Sequence, residues 1–389
     1  MRGPLLLAWR YVTFNRLKTT ILVACITLTL FLPMTVHVLV RHYNAELVAR
    51  AEATPLIVGA KGNRYDLCLG TLYFSGQSVD DIKMRDVAGI RDGGLAAPIP
   101  IHARYTAKGF AVVGTTLDYF EFRDLSVDEG TLPMMLGDAV VGAEVARGLG
   151  LREGSSLLSD QKNLYDIGQS YPLKMHVVGV LAPGGTPDDR AVFVDVKTAW
   201  LIEGIAHGHQ DMTKEVSPDL VLDRRDDNVV ASAAVFEYME VTPGNISSFH
   251  FHGDPLDFPL TSVIAVPNDR KSETLLKGRY TLSKDRQLLE PPRVIAELMG
   301  IVFKVEMFFR ANFFVVVLST VLFLGLVVLL SLKIREREMR TMFRIGASKG
   351  TVFWLQAAEL GIVLTIGLVV AGIVAGMIVL FAQNFMRLL

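Results

Sequence analysis

Three long stretches of this chain carry no charged side chain. Residues 19–40 and 311–332 are uncharged windows of 22 residues each, and residues 360–386 form a third window of 27. A helix rises about 1.5 Å per residue, so 22 residues reach roughly 33 Å, enough to cross the hydrocarbon core of a bilayer. Because backbone groups in lipid must satisfy their hydrogen bonds within the segment, such windows predict helices. We therefore expect three membrane-spanning helices, over residues 19–40, 311–332 and 357–386.

The first window follows a leader, residues 1–18, in which apolar residues recur at helical spacing. Leu5, Trp9 and Val12 lie three or four positions apart, and Arg10 falls between them. This pattern predicts an amphipathic helix on the cytoplasmic face of the membrane. The alternative is a cleaved signal peptide. The apolar stretch is longer than a typical signal core, however, and no small-x-small cleavage site follows Val40.

Basic residues in the short flanks predict the orientation, because Lys and Arg accumulate on the cytoplasmic side. Ten of them flank the first two windows on what we take as that side: Arg2, Arg10, Arg16, Lys18, Lys333, Arg335, Arg337, Arg340, Arg344 and Lys349. The long middle of the chain then lies outside the cytoplasm, and a third crossing takes the C-terminus out as well. We expect a bacterial inner-membrane protein with a cytoplasmic N-terminus, a periplasmic domain and a periplasmic C-terminus.

The middle of the chain, residues 41–292, reads as a mixed globular sequence. Short apolar runs at 110–114, 176–180 and 191–195 are bounded by Gly, Pro, Asp and Asn, as strands are. Helical stretches at 142–149 and 196–204 lie between them, and residues 293–310 read as a helical stalk that runs into the second window. The predicted fold class is membrane α-helical, with three transmembrane helices and a large α+β extracytoplasmic domain inserted between the first two.

Composition excludes several classes of function. Lys and Arg number 39 against 40 Asp and Glu, so no basic field indicates nucleic-acid binding. Cys25 lies in the first window and Cys68 lies outside it, so we expect the two not to form a disulfide. The sequence has no GxxxxGK[ST] motif for a nucleotide and no nucleophile–base–acid arrangement. We expect this chain itself not to be an enzyme and not to hydrolyse ATP.

A ladder of small residues runs along the third window. Gly372 and Gly376 form a GxxxG pair, and Gly367 and Ala371 extend the same ladder. This spacing lets two helix backbones approach closely. Packing against the chain's own helices and a homodimer seam both fit the pattern.

Four of the eight histidines form two His-x-His pairs in the middle domain. The pairs are His207 with His209 and His250 with His252, and Asp254 continues the second alternation. Alternate residues of a strand face the same side, so each pair can offer two nitrogens to one ion. Two nitrogens and a carboxylate favour Zn²⁺ or Cu²⁺ over Mg²⁺ or Ca²⁺. The alternative is a pair of polar surface loops with incidental histidines.

Several segments, in this order along the chain, resemble the MacB/FtsX/LolC-type permeases, the mechanotransmission class of ABC transporters. The similar segments are the leader at 7–19, a VxxDYF-like run at 113–120, a vvlG…vA…lgl…G-like run at 138–154, a VvGv-like strand at 175–179 and an REREigllrAlGas-like loop at 335–348. The resemblance implies a permease subunit that works with a separate cytoplasmic ABC ATPase dimer, where ATP and Mg²⁺ would bind. It also implies a homodimer or a pair of related permeases. Such permeases usually have a fourth span, which does not follow here.

The resemblance also implies that residues 333–356 form a cytoplasmic element that couples to the ATPase. The residues expected to carry this role are Arg335, Glu336, Arg337, Glu338, Arg340 and Gly346. Glu336 and Arg340 are four apart and so share one helix face, and Gly346 is suited to end the helix. The simpler interpretation, that the basic residues only set topology, does not explain the interleaved glutamates.

Two other functions stay open at this point. Some members of the class relay ATPase motion to a cell-envelope partner and move no solute, so a transmembrane regulator with a periplasmic protein partner is one alternative. A zinc- or metal-linked transport permease is the other, if the histidine pairs bind a cation.

Overall fold

The fold was analysed in a computed structural model of the full chain. It describes residues 2–75, 80–160, 172–208, 221–225, 228–231, 238–334, 336–346 and 348–386. The chain divides into two compact units: unit 1 contains Met1–Leu47 and Glu297–Leu389, and unit 2 contains Val48–Ala296.

The helices and strands follow one another along the whole chain. The helices are α1 (Arg2–Phe14), α2 (Arg16–Glu52), α3 (Arg64–Tyr73), α4 (Met84–Asp92), α5 (Leu117–Phe122), α6 (Ala143–Leu149), α7 (Val196–Glu203), α8 (Arg270–Thr281), α9 (Pro291–Ile334), α10 (Glu336–Arg344) and α11 (Lys349–Met386). The strands are β1 (Leu56–Ala60), β2 (Ile82–Lys83), β3 (Ala96–Ala107), β4 (Phe110–Thr115), β5 (Val127–Gly130), β6 (Asp138–Val141), β7 (Ser156–Leu158), β8 (Lys174–Leu181), β9 (Ala191–Asp195), β10 (Ala206–Gly208), β11 (Val221–Arg225), β12 (Asn228–Ala231), β13 (Phe249–Phe251), β14 (Pro259–Leu260), β15 (Ser262–Pro267) and β16 (Arg286–Leu289).

The described residues of unit 1 form helices joined by short turns. Three of the helices in this part of the chain are long and apolar enough to cross a membrane, over Arg16–Arg41, Pro291–Ile334 and Gly350–Ile378. The predicted stalk and second span are one continuous helix, α9, which begins at Pro291 because proline suits the first turn. The leader forms α1, and Asn15 separates it from α2. The three predicted apolar helices are therefore present.

Side-chain contacts in unit 1 set the relative directions of its long helices. Lys18 Nζ lies 2.9 Å from Glu359 Oε1, and Thr27 Oγ1 donates to the Gly367 carbonyl at 3.3 Å, so α2 and α11 run in the same direction. Thr29 Oγ1 lies 3.0 Å from Thr320 Oγ1, and His37 Nδ1 lies 3.3 Å from Glu306 Oε1, so α9 runs the opposite way. The beginning of α2, the end of α9 and α10 therefore share one end of unit 1.

Unit 2 is built on one mixed sheet with helices beside it. Ten strands pair in the order β16-β1-β15-β3-β4-β9-β6-β8-β5, and β7 joins β8. The pairs β4–β9 and β6–β8 are parallel, and the other pairs of this sheet are antiparallel. The mixed α/β character that the sequence predicts is confirmed, including the strands at β4, β8 and β9 and the helices α6 and α7.

The central strands are apolar along their whole length because both faces of the sheet are covered. Val192 and Val194 belong to one buried cluster, with Val112 and Val141, whereas Phe193 between them belongs to another. Successive side chains of a strand point to opposite faces. An unbroken apolar run such as β9 is thus the pattern of a strand between two cores.

Two glycines of the permease-like motifs lie where the backbones of neighbouring segments approach closely. A Cβ added at Gly142 would lie 2.3 Å from the Asp188 carbonyl oxygen, and one added at Gly179 would lie 2.3 Å from the Thr131 carbonyl oxygen. Backbone atoms cannot yield as a flexible side chain does. These contacts give a physical reason for glycine at both positions.

Candidate functional site

The α10 segment (residues 336–354, of which Ala347 lies outside the described residues) joins two long apolar helices. Within α10, Arg340 Nη2 lies 2.6 Å from Glu336 Oε1, and both side chains are more than half exposed. Exposed i,i+4 pairs stabilise a helix by about 0.3–0.5 kcal/mol. The pair therefore contributes little to the stability of the helix, and its main effect is on the charge of this surface.

A tight turn separates α10 from α11. Gly346 has φ +99°, a conformation that glycine adopts without steric cost. Ser348 Oγ then accepts the N–H of Thr351 at 3.2 Å and so caps the first turn of α11. The prediction that Gly346 ends the helix is confirmed, two residues after Arg344.

Large apolar side chains are exposed along the same segment. The exposed fraction is 42% for Phe343, 82% for Ile345, 67% for Phe353 and 61% for Trp354. Phe353 and Trp354 belong to the apolar helix Gly350–Ile378, whose exposed side chains suit lipid, whereas Phe343 and Ile345 lie beside the charged turn. Exposed apolar residues at a charged turn are the combination expected of a surface that another protein covers. The charges of this segment are predicted from the sequence, but its exposed apolar residues are not, although Ile345 stands beside Gly346.

The predicted coupling residues are only partly described. Glu336, Arg337 and Arg340 lie on α10 with exposed side chains, and Glu338 is a helical position between them. Arg335 lies outside the described residues. On either side of it, the structure describes α9 up to Ile334 and α10 from Glu336.

The ladder of small residues on α11 divides into two parts. A Cβ added at Gly367 would lie 2.6 Å from Ile26 Cγ2, so this glycine lets α2 and α11 approach closely. Ala371 is also buried. At Gly372 and Gly376 no atom of the described residues lies within 4 Å of an added Cβ. Gly367 thus packs closely against α2, whereas among the described residues the GxxxG pair has room for an added side-chain carbon.

We expect substitutions on these two parts of α11 to have different effects. Gly367→Leu should disrupt unit 1, because overpacking costs about 1–3 kcal/mol or more. Gly372→Leu should leave the monomer folded and weaken any dimer that uses the GxxxG surface. Thermal stability and oligomeric state of the purified chain in detergent measure both effects. Equal losses of monomer stability in the two variants would contradict this division.

A buried polar network in unit 2 involves the last turn of α2. The Arg50 guanidinium bonds the Asp188 carboxylate twice, at 2.6 and 2.8 Å, and donates to Tyr119 Oη at 2.8 Å. Tyr119 Oη in turn donates to Asp188 Oδ1 at 2.7 Å. The Arg50 and Asp188 side chains are 8% and 1% exposed, and Tyr119 is fully buried. The network attaches the end of α2 to the core of unit 2.

Burial and charge act in opposite directions on the carboxyl in this network. Burial by itself would raise the pKa of Asp188, but the Arg50 charge and the Arg50 and Tyr119 hydrogen bonds outweigh it and hold the pKa below its ordinary value. Burial and the Asp188 charge raise the pKa of the Tyr119 hydroxyl. Asp188 is thus ionised and Tyr119 protonated at neutral pH. Tyr119 lies in the permease-like run at 113–120, but no local pattern in the sequence joins it to Arg50 and Asp188, which are far apart in the chain.

Residues of both His-x-His pairs meet on one small ribbon. His207 of β10 is opposite His250 of the antiparallel β13, and their metal-binding atoms and those of His252 all lie within 4.8 Å of one another. His209 lies outside the described residues. Asp254 is not part of this group: its Oδ1 accepts the N–H of Leu256 at 3.0 Å and caps the 3-10 turn Pro255–Asp257.

Comparison with known proteins gives similarity to solved structures only. No protein-family model matches the chain, and no curated protein matches its sequence. One similar structure is the periplasmic region of MacB from Actinobacillus actinomycetemcomitans, at TM-score 0.36 and 9% identity, covering 65% of this chain and 97% of that one. Another is the extracellular domain of the noncanonic ABC-type transporter YknZ from Gram-positive bacteria, at TM-score 0.33 and 10% identity, covering 60% and 98%.

Proposed function

We propose that this chain is the permease subunit of an ATP-driven ABC transporter of the MacB/FtsX/LolC class. The observation that carries the proposal is the α10 segment, a charged helix and turn with exposed apolar residues, placed between two long apolar helices. Basic residues alone would be enough to set the membrane topology at this segment. Glu336, the glycine turn and the 82% exposed Ile345 are better explained by a docking surface for a separate ATPase.

The proposed orientation puts α10 in the cytoplasm and unit 2 outside it. Support comes from the basic residues of the leader and of the α10 segment, which the antiparallel α2 and α9 bring to the same end of unit 1. Unit 2 follows α2 and precedes α9 in the chain, which fits a domain inserted between the first two spans. The third span, α11, then leads outward again.

In the proposed mechanism, the ATPase dimer binds and hydrolyses ATP and this chain does not. Closure of that dimer moves α10, and α9 and α2 are the two helices through which the chain enters unit 2. Unit 2 then exports or extracts a substrate outside the membrane.

The active form is proposed to be a dimer, either of this chain or with a related permease. The GxxxG pair on α11, which has room beside it among the described residues, supports a close helix–helix contact between two copies. An ATPase dimer has two equivalent docking surfaces, which a pair of α10 segments would occupy.

Two experiments test the proposal. Purification of the full chain from its native membrane should retain a cytoplasmic ATPase with a P-loop, and its absence under mild detergent would count against the proposal. In spheroplasts, an impermeant maleimide should label Leu282→Cys and leave Ser348→Cys unlabelled until the membrane is opened. The native Cys68 is a suitable background because it is buried. Labelling of Ser348→Cys from outside would overturn the orientation.

A further inference from the structure

Three histidines of unit 2, His207, His250 and His252, lie on the outward face of the β10–β13 ribbon. His207 and His250 are directly opposite each other, and their ring centroids are 4.8 Å apart. His252 follows His250 by two residues, and its ring centroid lies 4.7 Å from that of His207 and 4.8 Å from that of His250. Its N–H continues the pairing by donating to the Ile205 carbonyl at 3.1 Å. All three rings are accessible to solvent.

The inward face of the same ribbon is fixed in the core. Ala206 is 1% exposed, and Phe249 and Phe251 pack against buried clusters. The Phe251 ring stacks on the Phe258 ring with the two centroids 5.8 Å apart, and it makes an edge contact with the Trp200 ring at a centroid distance of 6.5 Å. Because side chains alternate along a strand, this packing determines that the histidines face outward together. The cluster is therefore set by the fold and does not depend on mobile side chains meeting by chance.

One ring of the cluster has its tautomer set by the backbone. His250 Nδ1 lies 3.2 Å from the Ser248 carbonyl oxygen, which can only accept a hydrogen bond. In the neutral ring Nδ1 therefore carries the proton, and Nε2 presents its lone pair. A hydrogen bond from the second ring nitrogen to a carbonyl is the usual way in which a protein orients a metal-binding histidine.

We propose that His207, His250 and His252 bind a divalent transition cation of the zinc class. Zn²⁺–N bonds of about 2.0–2.1 Å place tetrahedral ligand nitrogens about 3.3 Å apart. The ligand nitrogens of the three histidines are up to 4.8 Å apart, so on binding an ion they need to approach one another by roughly 1.5 Å or less. Rotation of the side chains can supply that movement. Three imidazoles and one water complete four-coordination, and the solvent-accessible position makes the ion exchangeable.

The ligand set selects the class of metal. Three neutral nitrogens favour Zn²⁺, Cu²⁺, Ni²⁺ or Co²⁺, whereas Mg²⁺ and Ca²⁺ require oxygen ligands. Among these, Cu²⁺ forms the strongest complexes with a given nitrogen site. The site belongs wholly to unit 2, so it does not depend on the proposed ATPase partner, and binding can be measured without that partner.

The test is a Zn²⁺ titration of the full chain in detergent against a chromophoric chelator. We expect one tight Zn²⁺ per chain, removable by EDTA. Since loss of even a second-shell partner costs about 10- to 100-fold in metal affinity, His207→Ala, His250→Ala and His252→Ala should each weaken binding at least tenfold. The matched control is His176→Gln, at a part-exposed histidine elsewhere in unit 2, whose ring lies near Glu240; it should change the affinity less than about threefold.

A second measurement avoids any dependence on how the variants fold. Co²⁺ bound to the wild-type chain should give the visible absorption of a tetrahedral nitrogen site, and added Zn²⁺ should abolish it. Wild-type chain that binds no stoichiometric Zn²⁺ would overturn the proposal. So would Zn²⁺ binding that survives replacement of all three histidines, because the ion would then lie elsewhere. Neither result would bear on docking of an ATPase to α10.

Discussion

Glu336→Lys or Gly346→Pro is expected to abolish ATP-driven transport while the chain still inserts and folds. The first change reverses the charge of the exposed carboxylate on α10. The second places proline, which requires φ near −65°, at a residue with φ +99°, so the turn between α10 and α11 must change. Both residues lie on the exposed α10 segment, away from the buried cores. The measurement is the rate of the partner ATPase in membranes that contain each variant.

A charge-swap variant separates docking from helix stability. The exposed Glu336–Arg340 pair contributes about 0.3–0.5 kcal/mol to the helix, which is too little to explain a complete loss of transport. Glu336→Arg combined with Arg340→Glu restores an oppositely charged pair on the same face. We expect this double variant to insert normally and to remain uncoupled. Recovery of wild-type ATPase stimulation would mean that the pair only stabilises α10.

Arg50→Ala is expected to destabilise unit 2 by about 3–5 kcal/mol, because it leaves the buried Asp188 carboxylate without a counter-charge. Hydrogen exchange of the full chain can follow this loss in strands β4, β6 and β9, where the opening of the core is seen directly. Arg85→Ala is the matched control. Its side chain pairs with Asp257, and the two are 53% and 41% exposed, so its loss should cost less than about 1 kcal/mol. Equal protection in the two variants would contradict a structural role for the Arg50 network.

The same pair gives unit 2 a specific dependence on acid. The pKa of Asp188 lies below its ordinary value in the folded chain, so its contribution to stability is complete above about pH 4 and is lost as the pH falls through the native pKa. Without Arg50, burial raises the pKa of Asp188, so the carboxyl takes up a proton in Arg50→Ala at a higher pH than in wild type. We therefore expect the difference in protection between wild type and Arg50→Ala to shrink progressively as the pH is lowered from neutral through the wild-type native pKa. Asp188→Asn removes the titrating group, so the difference in protection between Asp188→Asn and the double variant Arg50→Ala/Asp188→Asn should not change with pH. If that difference also shrinks in acid, the pH dependence has another cause.

The parts of this fold that the sequence predicts are those determined by local patterns. Uncharged windows predict the three apolar helices because lipid excludes charge along a whole segment. Continuous apolar runs such as β9 predict buried strands, since both faces of the sheet are covered. Glu359 borders the third uncharged window and lies within the predicted span 357–386. Its pairing with Lys18 at 2.9 Å is a contact between distant segments that the window does not predict.

Other features depend on pairings between distant residues. Arg50 and Asp188 are 138 positions apart, and neither has a local pattern that names its partner. The histidine pairs were visible in the sequence, but their meeting required the register of β10 with β13 across 43 positions. The 82% exposure of Ile345 likewise depends on how the other described residues fold, which its neighbours in the sequence do not determine. Long-range contacts of this kind follow from the fold and are not encoded in spacing.

The most direct test of ATPase docking is a photo-crosslinking amino acid placed at Ile345 in the living cell. Leu282, in unit 2, is the matched control because it is also apolar and is 86% exposed, against 82% for Ile345. If the α10 segment is the docking surface of a permease, the probe at 345 will crosslink to a cytoplasmic P-loop ATPase and the probe at 282 will not. An ATPase crosslink at 282, or crosslinks at 345 to lipid or envelope proteins alone, would contradict the proposed function.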